Sequence, residues 1–272
     1  MESLKDRVLS SYPADVVRRF FELELLDRSF GLAAQAFVSL LPLLIVVVSV
    51  FVGGNEDVVA DQMSDRFGLA GAAAEAVRAL FRASSVTVTI SWLAVVMSAL
   101  SAFSLSRRLS RVYASIFGLP SLARSQLWRG LVWIALQLVL FAAASELRSV
   151  RRDNGVGIAA LAIVVLLAVW FFGDMAGLRL LVPTLPRRFL VPSAVLGGIG
   201  RVGLTVWSAI YMPRSLTSQA EQFGPIGVTF ALFTLILAGV FVYLGAPLLV
   251  SVWFRRRDGV TPPADAGLVA TD

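Results

Sequence analysis

Six long apolar stretches separated by arginine-bearing connections constrain this chain more than any other feature. About 20 consecutive apolar residues cross a bilayer as an α-helix. The sequence offers roughly that length at about 30–52, 86–106, 127–147, 156–175, 189–212 and 224–254. The expected class is therefore an all-α, polytopic membrane protein with six transmembrane helices in one domain over residues 30–254. Residues 1–29 precede it as a cytoplasmic segment carrying an amphipathic helix. Residues 255–272 follow as a basic, then disordered, cytoplasmic tail. With 57% hydrophobic and 15% charged residues and a mean hydropathy of +0.80, little remains from which to build a separate soluble domain.

The charge is best read as topology. A formal net charge of +6 could suggest nucleic acid, but the cations flank apolar runs. With the N-terminus inside, the inner segments hold Lys5, Arg7, Arg18, Arg19, Arg28, Arg107, Arg108, Arg111, Arg124, Arg129, Arg179, Arg187, Arg188 and Arg255 to Arg257. The outer segments hold Arg66, Arg78, Arg82, Arg148, Arg151, Arg152 and Arg214, fewer than half as many. The positive-inside rule then puts both termini in the cytoplasm. Residues 1–29 lack the short apolar region and small-residue cleavage site of a signal peptide.

The absence of Cys and His excludes disulfides, thiolate nucleophiles, Cys/His zinc sites and histidine acid–base chemistry. The carboxylates are scattered, so neither a metal site, a cofactor nor an enzyme is expected.

The segment from Ser11 to Arg28 places Val16, Val17, Phe20, Phe21 and Leu25 against Arg18, Arg19, Glu22 and Glu24 at helical spacing. Such a helix either lies in the headgroup plane or packs on the protein's own cytoplasmic loops. The long connection from Gly53 to Ser85 passes into an alanine-rich amphipathic stretch, Ala70 to Ala83. In the second run Thr87, Ser91, Ala94, Ser98 and Ser101 share one helical face, which suits close helix packing or, alternatively, a hydrated path. Pro42 and Pro247 are the expected helix-bending positions, with a tilt or break at Gly245-Ala246-Pro247.

Arg201 is the anomaly, a cation near the middle of the fifth run. Charge at membrane depth costs about 2.5–3.5 kcal/mol on insertion scales and marks a functional-site hypothesis. Ala194, Gly198, Arg201, Thr205 and Ser208 share a face, with Gly197, Gly200 and Gly203 beside it, so this face must turn inward. One reading makes Arg201 the anchor of an anionic headgroup or solute, aided by Gln35, Ser39 and Gln137. The other pairs it with Glu146, Asp174 or Glu221 to fix helix packing.

Phe37-Val38-Ser39-Leu40-Leu41-Pro42 forms an aromatic-x-Ser-Leu-x-Pro run, and Leu181-Val182-Pro183, Arg187-Arg188 and Pro192-Ser193-Ala194 follow one another later in the chain. These stretches resemble the YihY/BrkB family of bacterial inner-membrane proteins, once mislabelled as ribonuclease BN. The first is similar to the family's aromatic-x-Ser-Leu-x-Pro run, and the others resemble its Leu-Pro, basic, Pro-Gly-Ala sequence. Phe223-Gly224-Pro225 and Leu244-Gly245-Ala246 stand where the family shows Tyr-Gly-Ser and Leu-Gly-Ala, although Pro247 replaces its following acidic residue. The resemblance implies a multi-pass protein of the bacterial inner membrane tied to envelope integrity, with lipid or solute transport as its proposed activity. The expected function is translocation of an amphiphilic or anionic molecule, and the alternative is a non-transporting envelope or scaffold protein. The expected partners are the lipid bilayer, an anionic lipid or small solute and no nucleic acid; a homo-oligomer is compatible with the chain.

Overall fold

The computed structural model describes the backbone at 12–51, 60–61, 64–65, 69, 71–84, 92–121, 126, 128–153 and 156–258, and the side chains of most of these residues. Every regular element among the described residues is helical. In chain order they are α1 (Tyr12–Glu22), α2 (Leu25–Phe51), α3 (Ala72–Ser84), α4 (Trp92–Phe117), α5 (Trp128–Asp153), α6 (Val156–Leu181) and α7 (Arg187–Asp258).

Local chemistry sets the helix ends. Pro13 sits in the first turn of α1, where its missing N–H costs nothing, and Asp15 complements the helix dipole there. Glu24, in the left-handed region at φ 49°, separates α1 from α2. The fourth helix begins at Trp92 and runs to Phe117, past the expected end near Ser106. Arg107, Arg108 and Arg111 are thus carried on a helix rather than in a connection. Gly118 stops it, with φ 68° and Leu119 N–H bonded to the Ala114 carbonyl at 2.8 Å, the Schellman arrangement.

The fifth and sixth apolar runs lie in one element, α7, because residues 213–223, expected as a connection, are helical. Its one non-helical residue is Gly224, at φ 60° and ψ −140°, a region open essentially to glycine alone. At Gly245-Ala246-Pro247, where a tilt or a break is expected, the backbone torsions are helical, so there is no break there, and a tilt is compatible with those torsions.

The chain divides into two compact units, one from 1–29, 106–200 and 242–272 and the other from 30–105 and 201–241. In the first, α5 and α6 approach closely. Leu140 occupies the space a side chain at Gly173 would need, and Leu140, Leu166 and Trp170 form a buried cluster. Residues 187–200 and 242–258 of α7 pack side by side: Phe189 meets Phe254 with ring centroids 4.9 Å apart, and Arg188 pairs with Asp258 at 3.2 Å. A Cβ on Gly200 would lie 2.8 Å from Val242. Helix α1 docks on the end of this pair, with Tyr12 Oη donating to the Leu249 carbonyl at 2.9 Å and Asp15 meeting Arg256 at 3.1 Å. Burial pushes the Tyr12 phenol up, keeping it the neutral donor.

In the second unit, residues before and after Gly224 fold back on one another. Gly227 packs directly on the Gln219 carbonyl, leaving no room for a side chain. Ala73, Ala74, Ala76 and Val77 of α3 complete a core with Met212, Leu216, Ala220, Val228 and Ala231. The alanine-rich amphipathic stretch is thus a packed helix.

Among the described residues, α6 over Val164–Leu181 and α7 are long and apolar enough to cross a bilayer. The core helix of a soluble protein is mostly buried, whereas only 39% of each apolar window is buried here.

Substitutions at the glycines test this packing. Gly224→Ala forces a side chain into a glycine-only conformation and is expected to cost about 1–3 kcal/mol. Gly227→Ala collides with backbone and is expected to cost a similar amount, about 1–3 kcal/mol. Gly245→Ala meets nothing within 4 Å and is expected to be neutral or to gain up to about 1 kcal/mol of helix propensity. Thermal unfolding of the purified variants reads all three.

Candidate functional site

Helix α6 presents Trp170, Asp174 and Gly177 at spacings of four and three, which places them on one face. Trp170 is 4% and Asp174 8% exposed, so the face is interior to its unit. A Cβ built on Gly177 would lie 3.1 Å from Trp133 Nε1 and 3.7 Å from Gln137 Nε2. Gly177 therefore lets two polar groups of α5 approach the α6 backbone. Three residues earlier, a Cβ on Gly197 of α7 would lie 2.7 Å from Asp174 Oδ2, so glycine again makes room for a polar side chain.

Gln137 is 8% exposed, and its Oε1 accepts from Tyr243 Oη at 2.9 Å. Its Nε2 has no acceptor among the described residues. The Tyr243 carbonyl in turn accepts from Tyr113 Oη at 3.2 Å. In an unbroken helix that carbonyl would pair with the N–H of residue 247, and Pro247 has none. Tyr113 of α4 thus caps a carbonyl that the proline leaves over. A hydrogen-bonded chain, Tyr113 to Tyr243 to Gln137, links α4, α7 and α5 in the first unit. Sequence reasoning found Gln137, Asp174 and Pro247 but not Tyr113 or Tyr243. The proline was the available signal, since it requires an outside donor for the carbonyl four residues earlier.

The same unit carries an open apolar groove of about 270 Å³ lined by Leu167, Phe171 and Phe172 of α6 and Val195, Gly198 and Ile199 of α7. The groove contributes surface for an apolar chain and no catalytic group. Among the described residues no three metal-ligating side chains gather.

The remaining sequence-derived residues lie as follows. Arg201, in the second unit, is 6% exposed. Its carbonyl accepts from Thr205 Oγ1 at 2.8 Å, and the Thr205 carbonyl accepts from Ser208 Oγ at 3.0 Å. These hydroxyls thus bond back to their own helix. Arg201 and Asp174 each have an interacting group. Gln35 and Ser39 come together on α2, where Ser39 Oγ donates to the Gln35 carbonyl and lies 2.6 Å from Ser101 Oγ of α4, also in the second unit. Glu221 is exposed and about 30 Å from Arg201 along the same helical arm. Pro42 and Glu146 lie in α2 and α5, but their side chains are outside the described residues, as are Thr87 and Ser91.

Tyr113→Phe is expected to cost about 1 kcal/mol, because the Tyr243 carbonyl loses its donor. In a Pro247→Ala background the new backbone N–H takes over that carbonyl, and the cost should shrink toward zero. A double-mutant cycle on thermal unfolding measures this, and an equal cost in both backgrounds would refute the capping role.

Comparison with protein-family models, curated proteins and solved structures finds no match to this chain.

Proposed function

We propose that this is a multi-pass protein of the bacterial inner membrane, of the YihY/BrkB type it resembles, that translocates an amphiphilic or anionic molecule such as a lipid or small solute. The observation that carries the reading is an inverted distribution of polarity. Arg201 and Asp174 are buried, whereas Ile199, Val206, Ile210, Phe172 and Phe230 are between 55% and 64% exposed. Each unit thus exposes large apolar side chains while burying a charge, and lipid is the solvent such faces suit. Charge retained inside helices of this kind is expensive and marks a ligand or ion pathway by default.

The aromatic and basic residues support the same placement. Trp128 and Trp253 are exposed, with Arg129 and Arg257 over their rings at 5.9 and 5.6 Å. Exposed tryptophan beside arginine suits a headgroup layer. In the reading proposed here, six spans place both termini in the cytoplasm. Arg201 anchors the anionic group of the cargo.

One observation favours the second reading, a non-transporting envelope scaffold. Arg201 and Asp174 each already engage another group, as a purely structural buried charge must.

Proteoliposomes containing a fluorescent phosphatidylglycerol analogue separate the two. Folded Arg201→Ala is expected to lose flux at least tenfold, with Arg201→Lys retaining part of it. Wild-type flux in the alanine variant removes Arg201 as anchor. Absence of flux in the wild-type protein, with Arg201→Ala misfolded, leaves the scaffold reading.

A further inference from the structure

The docking of α1 brings together four guanidiniums that the cargo reading does not use. Asp15 pairs with Arg18 at 3.0 Å and with Arg256 at 3.1 Å. Glu22 pairs with Arg19 at 3.2 Å and with Arg18 at 3.6 Å. Arg255 Nη2 donates to the Ile116 carbonyl at 3.2 Å, at the end of α4. Asp15 and Glu22 thus pair with Arg18, Arg19 and Arg256, and Arg255 lies within electrostatic reach of Arg19 and Glu22.

The two inner arginines are incompletely bonded. Arg19 Nε and Arg255 Nη1 are shielded from solvent, and neither has an acceptor among the described residues. Arg19 is only 18% exposed, so its guanidinium is not simply hydrated. Partial burial and the nearby Arg19 charge lower the Arg255 pKa, with Glu22 acting in the opposite direction. Arg19 and Arg255 thus each keep an N–H without an acceptor among the described residues. Guanidiniums with N–H groups to spare match the several acceptor oxygens of a phosphate better than any neutral ligand.

We propose that Arg19 and Arg255 form a phosphate-binding site at the junction of α1 with the C-terminal end of α7, separate from Arg201. The phosphate is that of an anionic phospholipid headgroup or of a free phosphate ion. The outer face of α1 bears on the choice. Pro13, Val17 and Phe21 recur every four residues and are exposed, Val17 by 54% and Phe21 by 67%. A helix with this apolar strip on one side and paired arginines on the other suits a membrane surface. Basic residues next to a membrane-spanning helix also draw anionic headgroups.

The test uses the full chain in detergent micelles and titration calorimetry with three probes: inorganic phosphate, dioctanoyl-phosphatidylglycerol and dioctanoyl-phosphatidylcholine. The proposal expects saturable binding, one per chain, of inorganic phosphate or phosphatidylglycerol, and at least tenfold weaker binding of zwitterionic phosphatidylcholine; equal binding of phosphatidylcholine overturns it. Tight phosphatidylglycerol with weak inorganic phosphate identifies the lipid source, and the reverse identifies the free ion. Arg19→Gln and Arg255→Gln should each raise the dissociation constant at least tenfold, while Arg214→Gln, at an exposed site in the other unit, leaves it unchanged. Should Arg255→Gln fail to fold, Arg19→Gln decides alone, because the ion pair of Arg19 among the described residues, with Glu22, lies within α1. Saturable binding of no probe, wild-type affinity in Arg19→Gln, or equal weakening by Arg214→Gln overturns the site. None of these results depends on whether the protein transports.

Discussion

The structure depends on finding partners for the backbone carbonyls that helix ends and prolines leave over. A helix leaves its last four carbonyls unpaired, and each proline inside it leaves another. In the first unit these groups are met by side chains from neighbouring helices. Ser110 Oγ donates to the Leu181 carbonyl at 2.7 Å at the end of α6. Arg255 serves Ile116 at the end of α4, and Tyr113 serves the carbonyl that Pro247 leaves over. Each bond joins two elements distant in sequence, so the same interaction that satisfies a carbonyl also fixes which helices are neighbours. Apolar packing alone is non-directional and could not make that choice.

Glycine then determines how closely those helices approach. A buried carboxylate needs a polar or at least uncrowded surround, and Gly197 leaves room for Asp174 where any side chain would collide with it. Gly177 does the same for the indole and amide of α5. These are not nucleotide-binding glycines, since no strand precedes them; they are places where one helix yields volume to a polar side chain of another. Small residues at helix contacts have this role generally in apolar surroundings. Here it explains how Gln137 and Asp174 can be both buried and polar without opening the packing around Trp170.

The helical class, the amphipathic character of 70–83 and the inward turn of the Arg201 face were legible because each depends on a period along one helix. What was not legible depends on contacts across the sequence. Nothing local shows that Tyr113 meets Tyr243, or that α3 packs on Met212 and Val228. Helix ends were misplaced for a related reason. Arg107, Arg108 and Arg111 mark the end of an apolar run, but an amphipathic turn tolerates arginine, and α4 stops only where Gly118 permits a left-handed residue. Likewise Pro247 was the more conspicuous breaker, yet its torsions stay helical because Tyr113 relieves the carbonyl it frees. Gly224, followed by Pro225, turns the chain instead, since only glycine adopts its backbone conformation without strain.

The two groups of arginines in this chain solve different electrostatic problems. Arg201 sits within an apolar stretch of α7, where a charge must be compensated nearby, and its environment supplies an interacting group. Arg19 and Arg255 sit at a helix junction where like charges are held together by α1 docking. Repulsion between them would tend to lift α1 away, yet Tyr12 on Leu249 and Asp15 on Arg256 hold it in place. An arrangement that holds cations together against their repulsion is relieved by an anion. A membrane-surface phosphate meets that requirement without altering the apolar interior.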